Sequence, residues 1–460
     1  MSFDLEKPHP ASFRDKNGYI FEKKSEIYRY IAPNFLPEFE RLRQSGLYDA
    51  LVDDGLLLAH FPIGETPDGG RVLKPERLDF MSYPYEWCFG QLQAAARTTL
   101  EIQRRALTVD MTLKDASAFN VPIHRGRPTL IDILSLETWR TGEPWVAYRQ
   151  FCEHFLAPLA LMASHGQDAG RLWKTHIDGI PLPLASKLLP WKTRLSPGLG
   201  AHVHAHAVQQ GRGGSVSQSS RAPHVSKNGL LGIIEHLDAT VAGLKAPRPK
   251  TAWSHYYDET NYEREAMDAK IALVGTFLDA VEPKPKTAWD FGANDGRFSR
   301  LASERGAFTL ALDIDPEAVE RAWAEVTRRK EQNLLPLVMD LSDPSAARGW
   351  AHEERESLLQ RGPADVGLAL ALIHHLAIGH NVPLPKIAEF FARACKTLIV
   401  EFVPKEDSQV QRMLATRKNI FDDYQRAGFE QAFDRYFATQ IAEPIPGTQR
   451  TLYLLRRREA

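Results

Sequence analysis

A regular alternation of short apolar runs and amphipathic segments between residues 287 and 403 places the tightest constraint on the fold. The apolar runs are almost wholly nonpolar, as expected of strands that are covered on both faces. The segments between them repeat apolar residues at helical spacing. This order is typical of the α/β class, with a doubly wound and mostly parallel sheet. The predicted strands are residues 287–292, 308–313, 335–339, 365–374 and 397–403.

The end of the chain has a different pattern. Residues 429–441 and 450–456 are two strand-like runs that flank Pro444, Pro446 and Gly447. Proline and glycine between two extended runs favour a turn. We therefore expect an antiparallel hairpin to complete the sheet, which would then have seven strands.

Composition also divides the chain. Residues 209–226 are rich in Gly, Ser and Gln, and such a segment buries too little apolar surface to offset the entropy of ordering it. Proline-containing breaks follow at residues 244–250 and 282–286. A chain of 460 residues has room for two or three domains. We predict an N-terminal α+β domain over residues 1–200, a linker or helical connection over 201–250, and a C-terminal domain over 251–460.

Charge and cysteine content narrow the partners and the compartment. The net charge is −1 and the basic residues are spread along the chain, which argues against nucleic acid as a partner. Cys88, Cys152 and Cys395 are far apart and odd in number, which suits a reducing compartment. The sequence has no apolar run long enough for a membrane span and no apolar N-terminal run typical of a signal peptide. We expect a cytoplasmic protein that acts on a small molecule and does not bind membranes. The oligomeric state is left open.

The stretch WDFGANDGRF, from Trp289 to Phe298, contains the letters Asp-Phe-Gly that hold magnesium in a protein kinase. No kinase-type catalytic loop precedes it, and a helix is predicted directly after it. The order of strand, glycine turn and helix instead describes a ligand loop at the carboxyl end of the first strand. Gly292 and Gly296 would let the backbone approach a ligand closely. A helix beginning near Asp295 would point free N–H groups at that ligand.

Two further acids follow predicted strands. Asp313 ends the second strand, where an acid accepts hydrogen bonds from both ribose hydroxyls of a nucleoside. Asp340 follows the third strand in the letters VMDL, where a side chain can reach an adenine amino group. The plainer interpretation of such acids is a helix cap or a solvated strand end. It suits Asp315 best, because Pro316 follows it.

This ordered set resembles the class I S-adenosylmethionine-dependent methyltransferases, from residue 253 to the C-terminus. The resemblance implies their Rossmann-like fold with its closing hairpin, S-adenosylmethionine as cofactor, and methyl transfer to an oxygen or nitrogen of a small or medium-sized metabolite. More faintly, the domain resembles methyltransferases grouped with rhizobial nodulation proteins. The cofactor-binding residues that the resemblance implies are Asp290, Gly292, Ala293, Asn294, Gly296, Asp313, Asp340 and Leu341.

Three residues are candidates for the chemistry. His374 and His375 end the predicted fourth strand, in the position of the family's motif after that strand. A histidine there can take a proton from the acceptor; the alternative is that one caps the strand end and the other packs beneath the cofactor. Glu401 lies inside the fifth strand, so it would point into the site or form a buried pair. An aromatic cluster at residues 253–262 would either cover the cofactor or pack on the sheet.

The N-terminal half contains a second acidic set. The spacing of Asp115, Asn120 and Asp132 resembles the catalytic loop and metal-binding hairpin of kinases and aminoglycoside phosphotransferases. There Asp115 would be the base, and Asn120 and Asp132 would hold magnesium. The sequence has no glycine-rich phosphate loop, and Ile133 stands where Phe-Gly is expected. Three interpretations stay open: a phosphotransferase or ATP-binding module, a degenerate kinase-like domain that recognises substrate for the methyltransferase, and a plain hairpin with Gly126 in its turn.

His202, His204 and His206 alternate in the letters HVHAHA. On a strand they would share one face within reach of a zinc ion, whereas a helix would scatter them. Because a fourth ligand at suitable spacing is missing, we predict no metal site.

Overall fold

The computed structural model describes residues 5–211, 224–247, 264–415 and 420–459. Contacts between Cα atoms divide the chain into two compact units. The N-terminal unit contains residues up to 249 together with the segment Arg348–Arg355, and the C-terminal unit contains residues 250–347 and 356–460. Most of the predicted 209–226 linker lies outside the described residues, and the helix Lys227–Gly243 that follows it belongs to the N-terminal unit.

The N-terminal unit combines antiparallel sheets with helices. Its strands are β1 (Gly18–Lys23), β2 (Glu26–Ile31), β3 (His60–Glu65), β4 (Arg71–Pro75), β5 (Met111–Leu113), β6 (Ile123–His124), β7 (Arg127–Pro128) and β8 (Leu136–Thr138). The main sheet has the order β1-β2-β4-β3, and β5 pairs with β8 and β6 with β7. Lys24 and Ser25 join β1 to β2 with φ of 52° and 63°, the left-handed values that a two-residue hairpin turn requires.

The helices of this unit are α1 (Leu36–Gln44), α2 (Leu47–Asp53), α3 (Phe89–Thr108), α4 (Tyr148–Phe151), α5 (Ala157–His165), α6 (Leu182–Leu188), α7 (Pro197–Leu199), α8 (His206–Gly211) and α9 (Lys227–Gly243), with π-helical turns at Cys152–Leu156 and Gly200–Ala205. The longest of them is α3, and α2, α5 and α9 pack against it. One face of α3 is buried along its length, for example at Leu92, Ala96 and Leu100. This repeat at three and four residues is what an amphipathic core helix requires.

The C-terminal unit is built on one seven-stranded sheet. Its strands are β9 (Thr287–Phe291), β10 (Phe308–Asp313), β11 (Leu334–Val338), β12 (Ala364–Ala369), β13 (Cys395–Phe402), β14 (Phe437–Pro444) and β15 (Thr451–Arg457). Their order is β11-β10-β9-β12-β13-β15-β14. The first five strands are parallel, and β15 pairs antiparallel with both β13 and β14. The predicted doubly wound, mostly parallel α/β sheet is confirmed.

Helices pack on this sheet. They are α10 (Arg264–Asp279), α11 (Arg297–Glu304), α12 (Pro316–Arg329), α13 (Leu384–Ala394), α14 (Ser408–Ala415) and α15 (Arg426–Asp434). Two residues fix the start of α12. Asp315 caps the helix by accepting a hydrogen bond from the Glu317 N–H at 3.0 Å, and Pro316 occupies the first turn. A core of apolar side chains from α10 and the strands, including Phe277, Leu368 and Ile399, joins the two layers.

Three predicted boundaries were wrong. The helix after the glycine turn begins at Arg297, because Gly296 has a left-handed φ of 79° and cannot continue it. The fourth strand ends at Ala369 rather than at residue 374, and Ala371 then turns the chain with a φ of 50°. Residues 429–434 lie in α15 rather than in a strand, since Phe429 and Phe433 share a buried helix face.

All three cysteines have free thiols and are buried. Burial raises the pKa of Cys152 and that of Cys395 to about 12, so both carry neutral thiols. None of the described helices is long and apolar enough to cross a bilayer.

Candidate active site

Residues at the carboxyl ends of β9, β10, β11 and β12 line a cavity of about 330 Å³. A doubly wound sheet binds ligands at this edge, next to the point where its strand order reverses, which here lies between β9 and β12. The volume falls in the range of small-molecule sites. Of the residues assigned to the cofactor, Gly296 alone is not in the wall. The seven that line the cavity are Asp290, Gly292, Ala293, Asn294, Asp313, Asp340 and Leu341.

The glycine turn is held against the end of β10. The N–H groups of Gly292 and Ala293 both donate to the Leu312 carbonyl, at 2.8 and 3.0 Å. Asn294 donates its N–H to Asp313 at 2.7 Å, and the Gly296 N–H donates to the Ala293 carbonyl. These N–H groups of the turn are therefore used within the protein, and at the start of the following helix the Arg297 N–H donates to the Asp295 side chain at 3.2 Å. Gly292 adopts a φ of 76°, which a residue with a side chain would adopt only with strain. A Cβ added there would also lie 3.3 Å from the Leu372 side chain, so glycine is what allows the backbone to form this part of the cavity wall.

Asp313 lies at the centre of this arrangement. Its Oδ2 accepts the Asn294 N–H at 2.7 Å, and its Oδ1 accepts the Asp315 N–H at 2.8 Å. Burial raises its pKa to about 6, although these two bonds favour the charged form. A carboxylate has about four acceptor positions, so this one can still accept hydrogen bonds from a ligand in the cavity.

Asp290 is the second buried acid of the wall. It is the penultimate residue of β9 and accepts a hydrogen bond from the Ser299 hydroxyl at 2.6 Å. Burial raises its pKa to about 7, with a smaller contribution from the charge of Asp313. Because two carboxylates share one apolar cavity, the free site holds less negative charge at neutral pH than its residues suggest.

Asp340 and Leu341 form the wall beyond β11. The Oδ1 of Asp340 accepts the N–H and the hydroxyl of Ser342, at 2.9 and 2.6 Å. This local turn fixes the chain as it leaves the strand and places Asp340, Leu341 and Ser342 in the cavity wall.

The two candidate histidines have different surroundings. Both follow β12 at the start of a helical turn that continues as a π-helix over His375–Gly379, so neither ends a strand. The centroids of their rings lie 4.1 Å apart, and the two rings are tilted by 39°. His375 lines the cavity. His374 is buried, and its Nδ1 has no hydrogen-bond partner among the described residues. Burial lowers the pKa of His375 to about 4 and that of His374 well below its usual value, so both imidazoles are neutral at neutral pH.

Glu401 forms a buried pair instead of facing the cavity. Its side chain is fully buried and is bound by Lys270 at 2.6 Å and by Arg450 at 3.1 Å. Arg450 also binds Asp407 at 2.8 Å. Of the two sequence-based alternatives for Glu401, the structure therefore shows the buried pair, and Glu401 is not among the residues that line the cavity.

Lys270 is a cavity residue that the sequence analysis missed. Its ammonium group lies 5.0 Å from the centre of the Phe298 ring, and burial lowers its pKa. A signal was present, because Lys270 interrupts the apolar spacing of Met267, Val274 and Phe277 on α10. A lysine on a core helix face needs a partner, and here that partner is Glu401.

In the N-terminal unit, Asp115 and Asn120 lie together. Asn120 donates its amide to Asp115 at 3.1 Å, and Gln150 donates to the other carboxylate oxygen at 2.8 Å. Burial raises the pKa of Asp115, and the charge of Asp132 raises it further. The hairpin that precedes Asp132 forms, but its second strand ends at Pro128.

The carboxylate of Asp132 already has three partners within the protein. Arg29, a buried residue of β2, binds its Oδ1 at 2.7 Å, and the Ser135 hydroxyl donates to its Oδ2 at 2.7 Å. Asp132 also caps a short helical turn through the N–H of Leu134. A magnesium ion at this position would have to displace a guanidinium group.

The three alternating histidines lie in the π-helical turn and in α8, not on a strand. His202 contacts His236 and Tyr148, while His204 contacts the hydroxyls of Ser186 and Thr193, each through its ring nitrogens. Within the described part of the chain, no group of three or more His, Cys, Asp or Glu residues could hold a metal ion. The aromatic cluster at residues 253–262 lies outside the described residues.

Known proteins were compared with the chain at the level of sequence and of structure. No protein-family model matches it. The nodulation protein NoeA of Rhizobium meliloti (strain 1021) is 35% identical to it over 461 residues, which cover 98% of this chain and 96% of NoeA.

Structural alignments span less than half of the chain. Magnesium protoporphyrin IX methyltransferase (ChlM) from Synechocystis PCC 6803, solved with bound SAH, aligns with a TM-score of 0.33 and 15% identity over 45% of this chain and 92% of that one. The N-methyltransferase NodS from Bradyrhizobium japonicum WM9 aligns with a TM-score of 0.31 and 10% identity over 43% and 99%. The bifunctional kinase-methyltransferase WbdD aligns with a TM-score of 0.31 and 13% identity over 44% and 42%.

Proposed function

This chain belongs to the family of the nodulation protein NoeA, and we propose that its C-terminal unit transfers a methyl group from S-adenosylmethionine to a metabolite. The acceptor atom is an oxygen or a nitrogen, and the acceptor is of small or medium size. The observation that carries this proposal is the position of Asp313 in the cavity wall. Its buried carboxylate ends β10, holds the glycine turn through Asn294, and keeps acceptor positions for a ligand.

The cavity residues suit an adenosyl cofactor. Asp313 would accept hydrogen bonds from the two ribose hydroxyls. Asp340 and Leu341 would border the adenine, since they follow β11, the strand next to β10. Gly292 leaves the wall open where a side chain would fill it. S-adenosylmethionine supplies a methyl group bound to a sulfonium, which makes that methyl an electrophile.

His375 is the residue best placed to take a proton from the acceptor. It lines the cavity, and burial lowers its pKa, so the imidazole is unprotonated across the neutral range and is a weaker base than a solvent-exposed histidine. His374 is buried and is not among the residues that line the cavity, so its part would be to hold the ring of His375 through the tilted contact between the two rings. Glu401 would act at a distance, by holding Lys270 in the wall.

The N-terminal unit is assigned to recognition of the acceptor. The partners of Asp132 argue against the alternative of a phosphotransferase or ATP-binding module that uses Asp115, Asn120 and Asp132, because Arg29 binds the carboxylate oxygen that a magnesium ion would need. A cytoplasmic location is part of the proposal and agrees with three buried free thiols.

The test is calorimetric titration of S-adenosylhomocysteine into the full chain and into Asp313→Asn. The wild type should bind in the micromolar range. The variant should bind about 10- to 100-fold more weakly, because hydrogen bonds to a charged group contribute about 1.5–3 kcal/mol. Asp279→Asn is the matched control, since it removes one carboxylate from an exposed ion pair of the same unit and should bind like the wild type.

A parallel titration with ATP and magnesium separates the two functions. Binding of ATP without binding of S-adenosylhomocysteine would overturn the methyltransferase proposal and favour the N-terminal acids. If S-adenosylhomocysteine binds, His375→Gln should retain that binding and lose methyl transfer in an acceptor screen.

A further inference from the structure

A second cavity, of about 1160 Å³, lies at the opposite edge of the C-terminal sheet. Lys286 directly precedes β9, Lys396 is the second residue of β13, and Arg456 lies near the end of the antiparallel β15. These positions all fall at the amino ends of the parallel strands. Because strands of five to eight residues span about 17–26 Å, this cleft is separate from the cofactor cavity at the carboxyl ends. We call it the basic cleft.

The basic cleft carries a strong positive charge. Seven Lys or Arg side chains and three acidic ones line it, which gives a formal charge of +4. Four separate parts of the chain supply the basic residues: 284–286, 396, 435 and 456–458. The net charge of the whole chain is −1. Because the basic residues of the cleft come from separate segments, folding is what brings their positive charges together. Like charges held together repel one another, and an anion relieves that repulsion.

Two of the seven basic groups are neutralised within the protein. Lys396 binds Asp365 at 2.9 Å, and Arg458 binds Asp434. Asp365 also accepts the N–H groups of residues 286 and 287. Asp365 is therefore committed to the edge of the sheet and does not compete for the other basic groups.

Four of the five remaining basic groups have donors available to a ligand. Arg456 and Arg457 each donate to a main-chain carbonyl, which positions the guanidinium groups while other N–H donors of each stay unused. The side chains of Lys286 and Arg435 form no hydrogen bond or ion pair with the residues that the structure describes, and both are exposed. Arginine presents a planar fork of donors that matches phosphate and sulfate oxygens.

We propose that the basic cleft binds a small ligand that carries two or more phosphate or sulfate groups. Basic groups from four segments converge on one concave surface, and such a surface surrounds a compact anion. A flat membrane surface would contact only its rim. The volume exceeds that of the cofactor cavity and can hold a ligand with several charged groups.

The test is calorimetric titration of inorganic triphosphate into the full chain at physiological ionic strength. The wild type should show saturable binding at one site, and inorganic sulfate should bind more weakly because it has fewer charges. Lys286→Ser/Arg435→Ser should weaken triphosphate binding at least about tenfold, since hydrogen bonds between charged partners are roughly twice as strong as neutral ones. Neither side chain has a structural partner, so the double variant should fold, and its affinity for S-adenosylhomocysteine should match that of the wild type.

The control is Lys187→Ser/Lys245→Ser, which removes two exposed charges from the N-terminal unit. It should bind triphosphate like the wild type. An equal loss in both double variants, or the absence of saturable binding by the wild type, would overturn the proposal. So would binding of a DNA oligonucleotide or of phosphatidylserine vesicles that depends on Lys286 and Arg435 when triphosphate does not bind, since the cleft would then be a macromolecular surface.

Discussion

Asp313 of the C-terminal unit and Asp132 of the N-terminal unit invite the same sequence interpretation and have opposite surroundings. Each is an acid expected to bind a ligand, the ribose of a nucleoside at Asp313 and a magnesium ion at Asp132. The oxygens of Asp313 accept two main-chain N–H groups and face a cavity. Those of Asp132 are bound by a buried guanidinium and a hydroxyl.

This contrast shows that the position of an acid after a strand does not decide its role. What decides it is whether the protein has already supplied a counter-charge. Main-chain N–H groups orient a carboxylate and leave its charge available, whereas Arg29 cancels the charge of Asp132. Acids of the first kind should matter for binding, and acids of the second kind should matter for stability.

The largest effect is expected at Glu401, which has two cationic partners. Glu401→Gln removes the charge that compensates Lys270 and Arg450 inside the core. The free energy of unfolding, measured by urea denaturation of the full chain, should fall by about 3–5 kcal/mol. Glu389→Gln breaks an exposed pair with Lys386 and should cost at most about 1 kcal/mol. Similar small losses in both variants would contradict the assignment of Glu401 as a buried counter-charge.

Asp132→Asn is the next test of the contrast. It leaves the buried Arg29 without its ion pair, so the free energy of unfolding should fall by about 1–3 kcal/mol. The affinity for S-adenosylhomocysteine should stay unchanged in calorimetry, in contrast to Asp313→Asn. A stable Asp132→Asn protein that had lost binding of ATP with magnesium would instead make Asp132 a ligand.

The smallest effect concerns pH. Burial raises the pKa of Asp313 to about 6, so the free protein protonates this acid as the pH falls below that value. If ribose binding uses the carboxylate, the affinity for S-adenosylhomocysteine should be constant above about pH 7 and should fall by up to about tenfold per unit below pH 6. Calorimetry on wild type and Asp313→Asn measures this. A pH dependence that persists in Asp313→Asn would assign the titration to another group, such as Asp290, whose pKa is raised to about 7.

Features that depend on local spacing were predictable. The strand Phe308–Asp313 and the cap formed by Asp315 and Pro316 follow from neighbouring residues alone. The position of His375 after the end of the strand was harder to predict, because a continuous apolar run does not reveal that the chain turns at Ala371. The residues after Ala369 are as apolar as the strand itself, so the pattern carries no boundary.

Features that depend on distant residues were not predictable. Arg450, the residue before β15, reaches Glu401 from 49 residues further along the chain, and Arg29 reaches Asp132 from the N-terminal sheet. The basic cleft combines four segments whose charges are unremarkable along the sequence. Partners of this kind depend on the register and packing of the folded chain, which a single sequence does not state.

The burial of all three cysteines has a practical consequence for spectroscopy. Thiol-reactive dyes and spin labels attack the thiolate, and buried thiols with a raised pKa present little of it. A cysteine introduced at an exposed position would therefore be the preferred site of labelling in the otherwise native chain. Reporter groups could be attached singly, beside either cavity of the C-terminal unit, without first replacing the natural cysteines.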